Sequence, residues 1–214
     1  MPKTKKFDED EFLIDLHAMS STEVQKLCFE EISKDKLHLE KIEVMIKSGL
    51  VDVKAKDEYD RTPLHWACEK DAFGVAKLLL DKGADVDAIN RSEHTPLYVA
   101  CDKNAVKCAK LLIERGADVE AIDDEEGWSV LEIACQQNAH KIVKLLLEAG
   151  ADPNMMSQGL TALHSACREN ALECAKLLLE AGADPEAEDY YVGESPIDMC
   201  ETPEMWALLK KYMK

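Results

Sequence analysis

One short phrase occurs five times along this chain. It reads TPLHWAC from Thr62, TPLYVAC from Thr95, SVLEIAC from Ser129, TALHSAC from Thr161 and SPIDMC from Ser195, with starts 33, 34, 32 and 34 residues apart. Such a period constrains the fold more than the length of 214 residues does. Each unit is too small to bury its own apolar face and has to bury it against the next. One elongated domain is therefore predicted in place of one or two globular ones. Four copies run on into an apolar helical stretch closed by Gly-Ala-Asp: AKLLLDKGAD, AKLLIERGAD, VKLLLEAGAD and AKLLLEAGAD, ending at Asp85, Asp118, Asp152 and Asp184.

Each complete unit reads as turn, helix, short loop, helix, turn. In the first, Thr62 is placed to N-cap the helix and Pro63 to occupy its first position, where a missing amide hydrogen costs nothing. Leu64 and Ala67 face inward, and the small Ala67 and Cys68 let the next unit approach. Leu78 to Leu80, Leu111 to Ile113, Leu145 to Leu147 and Leu177 to Leu179 form the apolar set of the second helix. That helix stops at Gly83, Gly116, Gly150 and Gly182, where glycine supplies a positive φ. Lys77, Lys110, Lys144 and Lys176 recur on the same helix and read as solvated surface.

Motif, period and Gly-Ala-Asp turn together resemble the ankyrin repeat family over roughly residues 20 to 214. The resemblance implies an all-α ankyrin-repeat solenoid of stacked helix-turn-helix units with short hairpin fingers. It also implies that His65 and His164 hydrogen-bond within the turn network. Tyr98, Glu132 and Asp198 replace that histidine in the other units and are expected to weaken the network. Asp71, Asn104, Asn138 and Asn170 stand where the family usually has Gly; Asn, and less readily Asp, tolerates the left-handed conformation required there.

Residues 1–19 precede the periodic region and are expected to form a flanking segment, either disordered or a short helix against the first unit, or a segment that orders on a partner. Residues 20–214 form the repeat domain, about six units with divergent caps. Ser20 and Glu23 have capping-box spacing, predicting a helix from near Ser21 that carries Val24, Leu27 and Cys28 on one side. A second helix is predicted from about Leu37 to Ser48, with Leu39, Ile42, Val44, Met45 and Ile46 apolar. In the shortened last unit, Thr202 and Pro203 start a helix whose Met205, Trp206, Leu208 and Leu209 are expected to pack back on the stack.

With 26 Lys plus Arg against 43 Asp plus Glu, the net charge is −17. That field disfavours nucleic acid and anionic membrane as partners and steers a basic partner in. No stretch approaches the ~20 apolar residues of a spanning helix, and the N-terminus turns acidic where a secretory signal needs apolar residues. A cytoplasmic setting is expected, with the nucleus left open. Five of the eight cysteines share one repeat column: Cys68, Cys101, Cys135, Cys167 and Cys200. Column neighbours stand roughly 8–10 Å apart, beyond the ~7 Å Cα limit for a disulfide, and cannot converge on one metal. They read, with Cys108 and Cys174, as small buried residues of a reduced protein.

No phosphate-cradling Gly-rich loop, HExxH or CxxC occurs, and no nucleophile motif. Neither a catalytic residue, a cofactor nor a metal is expected. The paired carboxylates Asp123-Asp124 and Glu125-Glu126 read as solvated acid on a hairpin tip.

In the family, fingers and first helices form a concave binding face. Carried over by position, it comprises Tyr59, Arg61, Arg91, His94, Glu125, Glu126, Trp128, Gln136, Arg168, Tyr190 and Tyr191, residues that change from unit to unit on a constant scaffold. Aromatic residues and arginine are common interface anchors, so Tyr59, Trp128, Tyr190 and Tyr191 head the candidates, with Arg61, Arg91 and Arg168 as charged companions. Trp66 is assigned to the core. The spans from turn glycine to motif start, 13, 12, 13, 11 and 13 residues from Gly49 on, favour a particular partner shape. Asn154, with Leu146 eight and Asp152 two residues before it, is similar to substrates of asparaginyl hydroxylases, although Pro153 departs from the pattern.

The resulting expectation is a noncatalytic, monomeric module that binds a protein partner, one with a basic segment being favoured by charge, and acts as adaptor, scaffold or inhibitor. A regulatory subunit of an enzyme complex is the alternative, and an intrinsic metal enzyme a third class.

Overall fold

The computed structural model describes residues 7–34, 38–123 and 127–213. Helix α1 (Glu9–Ala18) precedes a helix pair, α2 (Ser21–Ser33) and α3 (Leu39–Lys47). Four complete units follow: α4 (Pro63–Glu69) with α5 (Phe73–Asp81), α6 (Pro96–Asp102) with α7 (Val106–Glu114), α8 (Val130–Gln136) with α9 (His140–Glu148), and α10 (Ala162–Arg168) with α11 (Leu172–Glu180). A one-turn 3-10 helix at Pro196–Met199 and helix α12 (Pro203–Lys210) close the stack. Between α9 and α10, β1 (Met156–Ser157) pairs antiparallel with β2 (Leu160–Thr161).

Inner helices α4, α6, α8 and α10 pack in one row and outer helices α5, α7, α9 and α11 in a second. The Ala-Cys pair of each inner helix, from Ala67-Cys68 to Ala166-Cys167, is buried, and these small side chains let neighbouring backbones approach. Each inner helix is turned into its outer helix by a residue at φ 47° to 51°, Asp71, Asn104, Asn138 or Asn170. There the following alanine amide reaches back to the helix, Ala72 to the Ala67 carbonyl and Ala105 to the Ala100 carbonyl, both at 2.8 Å. Gly83 (φ 85°) and its counterparts end the outer helices as the spacing predicts.

Three consecutive residues sweep about 200° of a helix, so a Leu triplet cannot all face one core. Leu79, Leu112, Leu146 and Leu178 are fully buried, whereas Leu78, Leu80, Ile113, Leu145, Leu147 and Leu177 are half-buried. The lysine column is exposed as expected.

The ends differ more from expectation. Residues 9–18 are helical: Asp8 caps α1 through the Glu11 amide at 3.0 Å, and Leu16 is buried where α1 meets α3. The Ser20–Glu23 capping box is formed. Leu39, one of the predicted apolar positions, is exposed at the first turn of α3, and Leu37 lies outside the described residues. In α12, Met205 and Leu209 are buried, but Trp206 points outward, 50% exposed, with the Lys210 ammonium 4.6 Å above its ring. Cys200 is half-buried, while the other seven cysteines are buried; all eight are free thiols.

Leu146→Ala is expected to cost about 2–5 kcal/mol, read by urea denaturation. Its faster hydrogen exchange should be concentrated in α9 and in α7 and α11, the outer helices that touch it.

Candidate partner-binding face

The loops between units fold as fingers, and four of the five are held by a single side chain. Asp57 Oδ1 accepts the Tyr59 and Arg61 amides at 2.8 and 2.9 Å, and Asn90 Oδ1 accepts those of Ser92 and His94 at 2.9 and 3.0 Å. Asp123 accepts Gly127 and Trp128 at 3.2 and 2.8 Å, and Asp189 accepts Tyr191, Val192 and Gly193 at 2.7, 2.8 and 3.2 Å. The same residue's amide closes the finger on the carbonyl just before the motif: Arg61, His94, Trp128 or Glu194. Asp57, Asn90, Asp123 and Asp189 stand at multiples of 33 residues, a regularity that runs beside that of the helices. Met156 occupies the fourth of the five positions, and there the β1–β2 hairpin forms the finger instead.

This reassigns Asp123. Expected as solvated acid, it is buried, because a carboxylate that accepts several amides folds into its own loop. Asp124, Glu125 and Glu126 lie outside the described residues.

The finger ends meet the helix caps. Thr62 donates its amide to His65 Nδ1 at 3.1 Å and its hydroxyl stands 2.9 Å away, while His65 Nε2 reaches the His94 carbonyl of the next finger at 2.9 Å. His164 repeats this with Thr161 and with the Glu194 carbonyl at 3.2 Å. Burial pulls His65 down to about 4, so the ring is neutral at pH 7. Two of the three replacements keep the cap half of this network. Glu132 Oε2 accepts the Ser129 amide and hydroxyl at 3.0 and 2.8 Å, and Asp198 Oδ2 does the same for Ser195 at 2.9 and 2.6 Å. A carboxylate oxygen thus substitutes for Nδ1 in the cap.

Successive fingers also touch. The Arg91 amide donates to the Tyr59 carbonyl at 3.0 Å and the Tyr190 amide to the Gly159 carbonyl at 3.0 Å. Gly159 has φ 71°, and a Cβ there would stand 2.6 Å from Tyr190 Cβ, so only glycine lets these fingers close. Behind them a ladder joins the turns: Asp87 accepts the Asp118 amide at 3.0 Å, Glu120 the Asp152 amide at 2.8 Å and Asn154 the Asp184 amide at 2.7 Å. The Asn154 amide nitrogen also donates to the Gly182 carbonyl at 3.0 Å, so this exposed residue is a rung of that ladder.

The candidates divide into side chains turned to solvent and side chains held within the fold. Tyr190 and Tyr191, 84% and 72% exposed, and Tyr59, 52% exposed, project from the fingers. Arg91 is exposed with Nε 3.7 Å from Asp60, and with Tyr59, Arg61, Asn90 and Ser92 it lines a shallow groove of about 280 Å³. Arg168 lies 5.7 Å over the half-buried Trp128 ring and 3.3 Å from Glu169. Other candidates are committed within the fold. Arg61 stacks at 3.8 Å on Trp66 and binds Asp57 at 3.1 Å, and the Trp66 indole donates to Asp57 at 3.0 Å. Trp66 is accordingly half-buried at the finger base, since its N–H requires an acceptor that the core lacks. His94 stacks on Tyr98 at 4.1 Å, and Gln136 is half-buried on α8.

Among the described residues no group of three or more His, Cys, Asp or Glu could hold a metal ion, and no helix is long and apolar enough to cross a membrane.

Stacked helix pairs joined by stapled fingers define a solenoid that presents loops along one edge. The ankyrin repeat family profile matches in three copies, over residues 32–123, 85–157 and 118–189, and the chain belongs to the ankyrin repeat family. It is 46% identical over 66 residues to ankyrin repeat protein FPV244 of Fowlpox virus (strain NVSL), covering 31% of this chain and 9% of that one. It is 35% identical over 70 residues to acyl-CoA-binding domain-containing protein 2 of Arabidopsis thaliana, covering 28% and 20%. The chain thus matches a fifth or less of either relative. The crystal structure of the ankyrin repeat domain of Bcl-3, a member of the IkappaB protein family, superposes with a TM-score of 0.70 at 30% identity, covering 79% of this chain and 75% of that one. Ankyrin repeats are in general protein–protein interaction modules, and the fold is typically noncatalytic.

Asp57→Ala leaves the Trp66 indole and two amides without their acceptor, and an expected loss of about 1–3 kcal/mol is measurable by denaturation. Against the desolvation that would raise it, the Arg61 and Tyr59 amides, Trp66 and Arg61 hold Asp57 below its ordinary 3.8. Its contribution is therefore present above pH 4 and lost as pH falls below that. His65, depressed from 6.5 to about 4, favours the fold fully above pH 6.5 and loses that contribution between 6.5 and 4, where the unfolded chain takes the proton. Denaturation midpoints across this range should fall less for His65→Gln than for the native chain.

Proposed function

We propose that this chain is a noncatalytic protein-binding module that recognises its partner on the finger and inner-helix face, as an adaptor or inhibitor. The observation that carries this reading is the set of exposed tyrosines, Tyr59, Tyr190 and Tyr191, on fingers already fixed by Asp57 and Asp189. Large apolar rings exposed to water are costly unless a partner covers them, and loops fixed in advance lose little entropy on binding. Arg91 and the Trp128–Arg168 pair extend the face along the stack. A net charge of −17 favours a partner that offers a basic segment. The seven buried free thiols suit a reducing compartment such as the cytoplasm.

The reading is tested by quantitative capture of partners from the native source with the wild type and a Tyr59→Ala, Tyr190→Ala, Tyr191→Ala variant of unchanged circular dichroism and melting. A partner lost at least tenfold with the variant, and released by salt, supports it. Partners retained equally by both would place recognition elsewhere.

A further inference from the structure

Glu132 stands where the units of α4 and α10 have a neutral histidine, and half of its carboxyl group is unaccounted for. Oε2 takes the Ser129 amide and hydroxyl just as Nδ1 of His65 and His164 takes those of Thr62 and Thr161. Oε1 is buried and has no hydrogen-bond partner. In the other two units the corresponding ring atom, Nε2, reaches the carbonyl that precedes the next motif, His94 or Glu194, the same carbonyl that closes that finger. By register, the carbonyl facing Glu132 belongs to Leu160, the residue before Thr161. The fourth finger is seated there, because the Ser129 amide that bonds Glu132 also approaches Ser157 Oγ at 3.2 Å. An ionised carboxylate cannot bond to a carbonyl oxygen, whereas a carboxylic acid can donate to one.

We propose that Glu132 is a neutral carboxylic acid whose Oε1–H donates to the Leu160 carbonyl, clasping the fourth finger to the inner stack at and below neutral pH and releasing it above.

The surroundings support a retained proton. Burial pushes Glu132 up to about 7 against the bonds from Ser129. Arg168 on α10 favours the charged form, while Asp123 in the third finger disfavours it. The buried Cys135 thiol on α8 itself is pushed up by Cys174 and burial, and remains protonated. On α6, Tyr98 is buried, and Asp102 is occupied by Lys103 at 2.8 Å and Gln137 at 3.1 Å. Helix α9 turns His140, Lys141 and Lys144 to solvent, and residues 156–161 of the fourth finger include no acidic or basic side chain. The raised value makes the clasp's contribution complete below pH 4.5, the ordinary glutamic value, and lost as pH rises through about 7. That sign is opposite to the sign for His65 and His164.

The test uses the full chain. Carboxyl carbon-13 NMR, with the Glu132 signal identified by its absence in Glu132→Gln, should give a midpoint between pH 6 and 8; a midpoint below 5 would overturn the proposal. Hydrogen exchange of the Ser157 and Leu160 amides, residues paired across the hairpin, corrected for the intrinsic rate, should show protection falling about tenfold between pH 6 and 8.5 in the wild type. In Glu132→Gln, whose amide accepts from Ser129 and donates to Leu160 at any pH, protection should stay constant. Both histidines are common to the two proteins, so the comparison cancels them. Identical profiles in the two proteins would equally overturn the clasp.

Discussion

Close approach between inner helices is the constraint on which the rest depends. A backbone can be brought against the next only where the facing side chains are small, and the buried Ala-Cys pair in each of the four complete units meets that condition. Once the inner row is set, the left-handed residue at Asp71, Asn104, Asn138 or Asn170 returns the chain as an outer helix. Its central leucine then fills the second layer. The alternation of small and large side chains fixes the two rows without any long-range device such as a disulfide.

The fingers are the second consequence. An irregular loop carries amides that need partners, and in four of the fingers one carboxylate or amide side chain takes two or three of them. The carbonyl at the finger's end serves twice in the second and fifth fingers, accepting from its own loop and from the histidine of the preceding unit. Finger geometry is thereby tied to the helix stack. Tyr59, Tyr190 and Tyr191 are consequently exposed from ordered backbone, a property of the loops' hydrogen bonding and not of the tyrosines themselves.

Substitution at the motif histidine shows why type alone misleads. Glu132 and Asp198 reproduce the cap that His65 and His164 make, because the geometry asks only for an acceptor at that atom. The second ring nitrogen is what they lack. In Glu132 the atom in its place is Oε1, buried and able to donate only when protonated, while in Asp198 the shorter carboxylate is exposed.

Units, period, helix pairs, left-handed turns and glycine stops were legible in the sequence because they repeat, and repetition turns a weak local preference into a pattern. The 33-residue spacing of Asp57, Asn90, Asp123 and Asp189 was equally present, though its meaning as finger staples required the hydrogen bonds. What only the tertiary structure decided concerns residues whose role depends on neighbours remote in sequence or on the chain's ends. Arg61 and Trp66 form one stack around Asp57, Asn154 ties one turn to the next, Asp123 is buried, and Trp206 faces outward. Periodicity specifies which face a residue occupies; the atoms it meets there are set by packing and by the loops that fold over it.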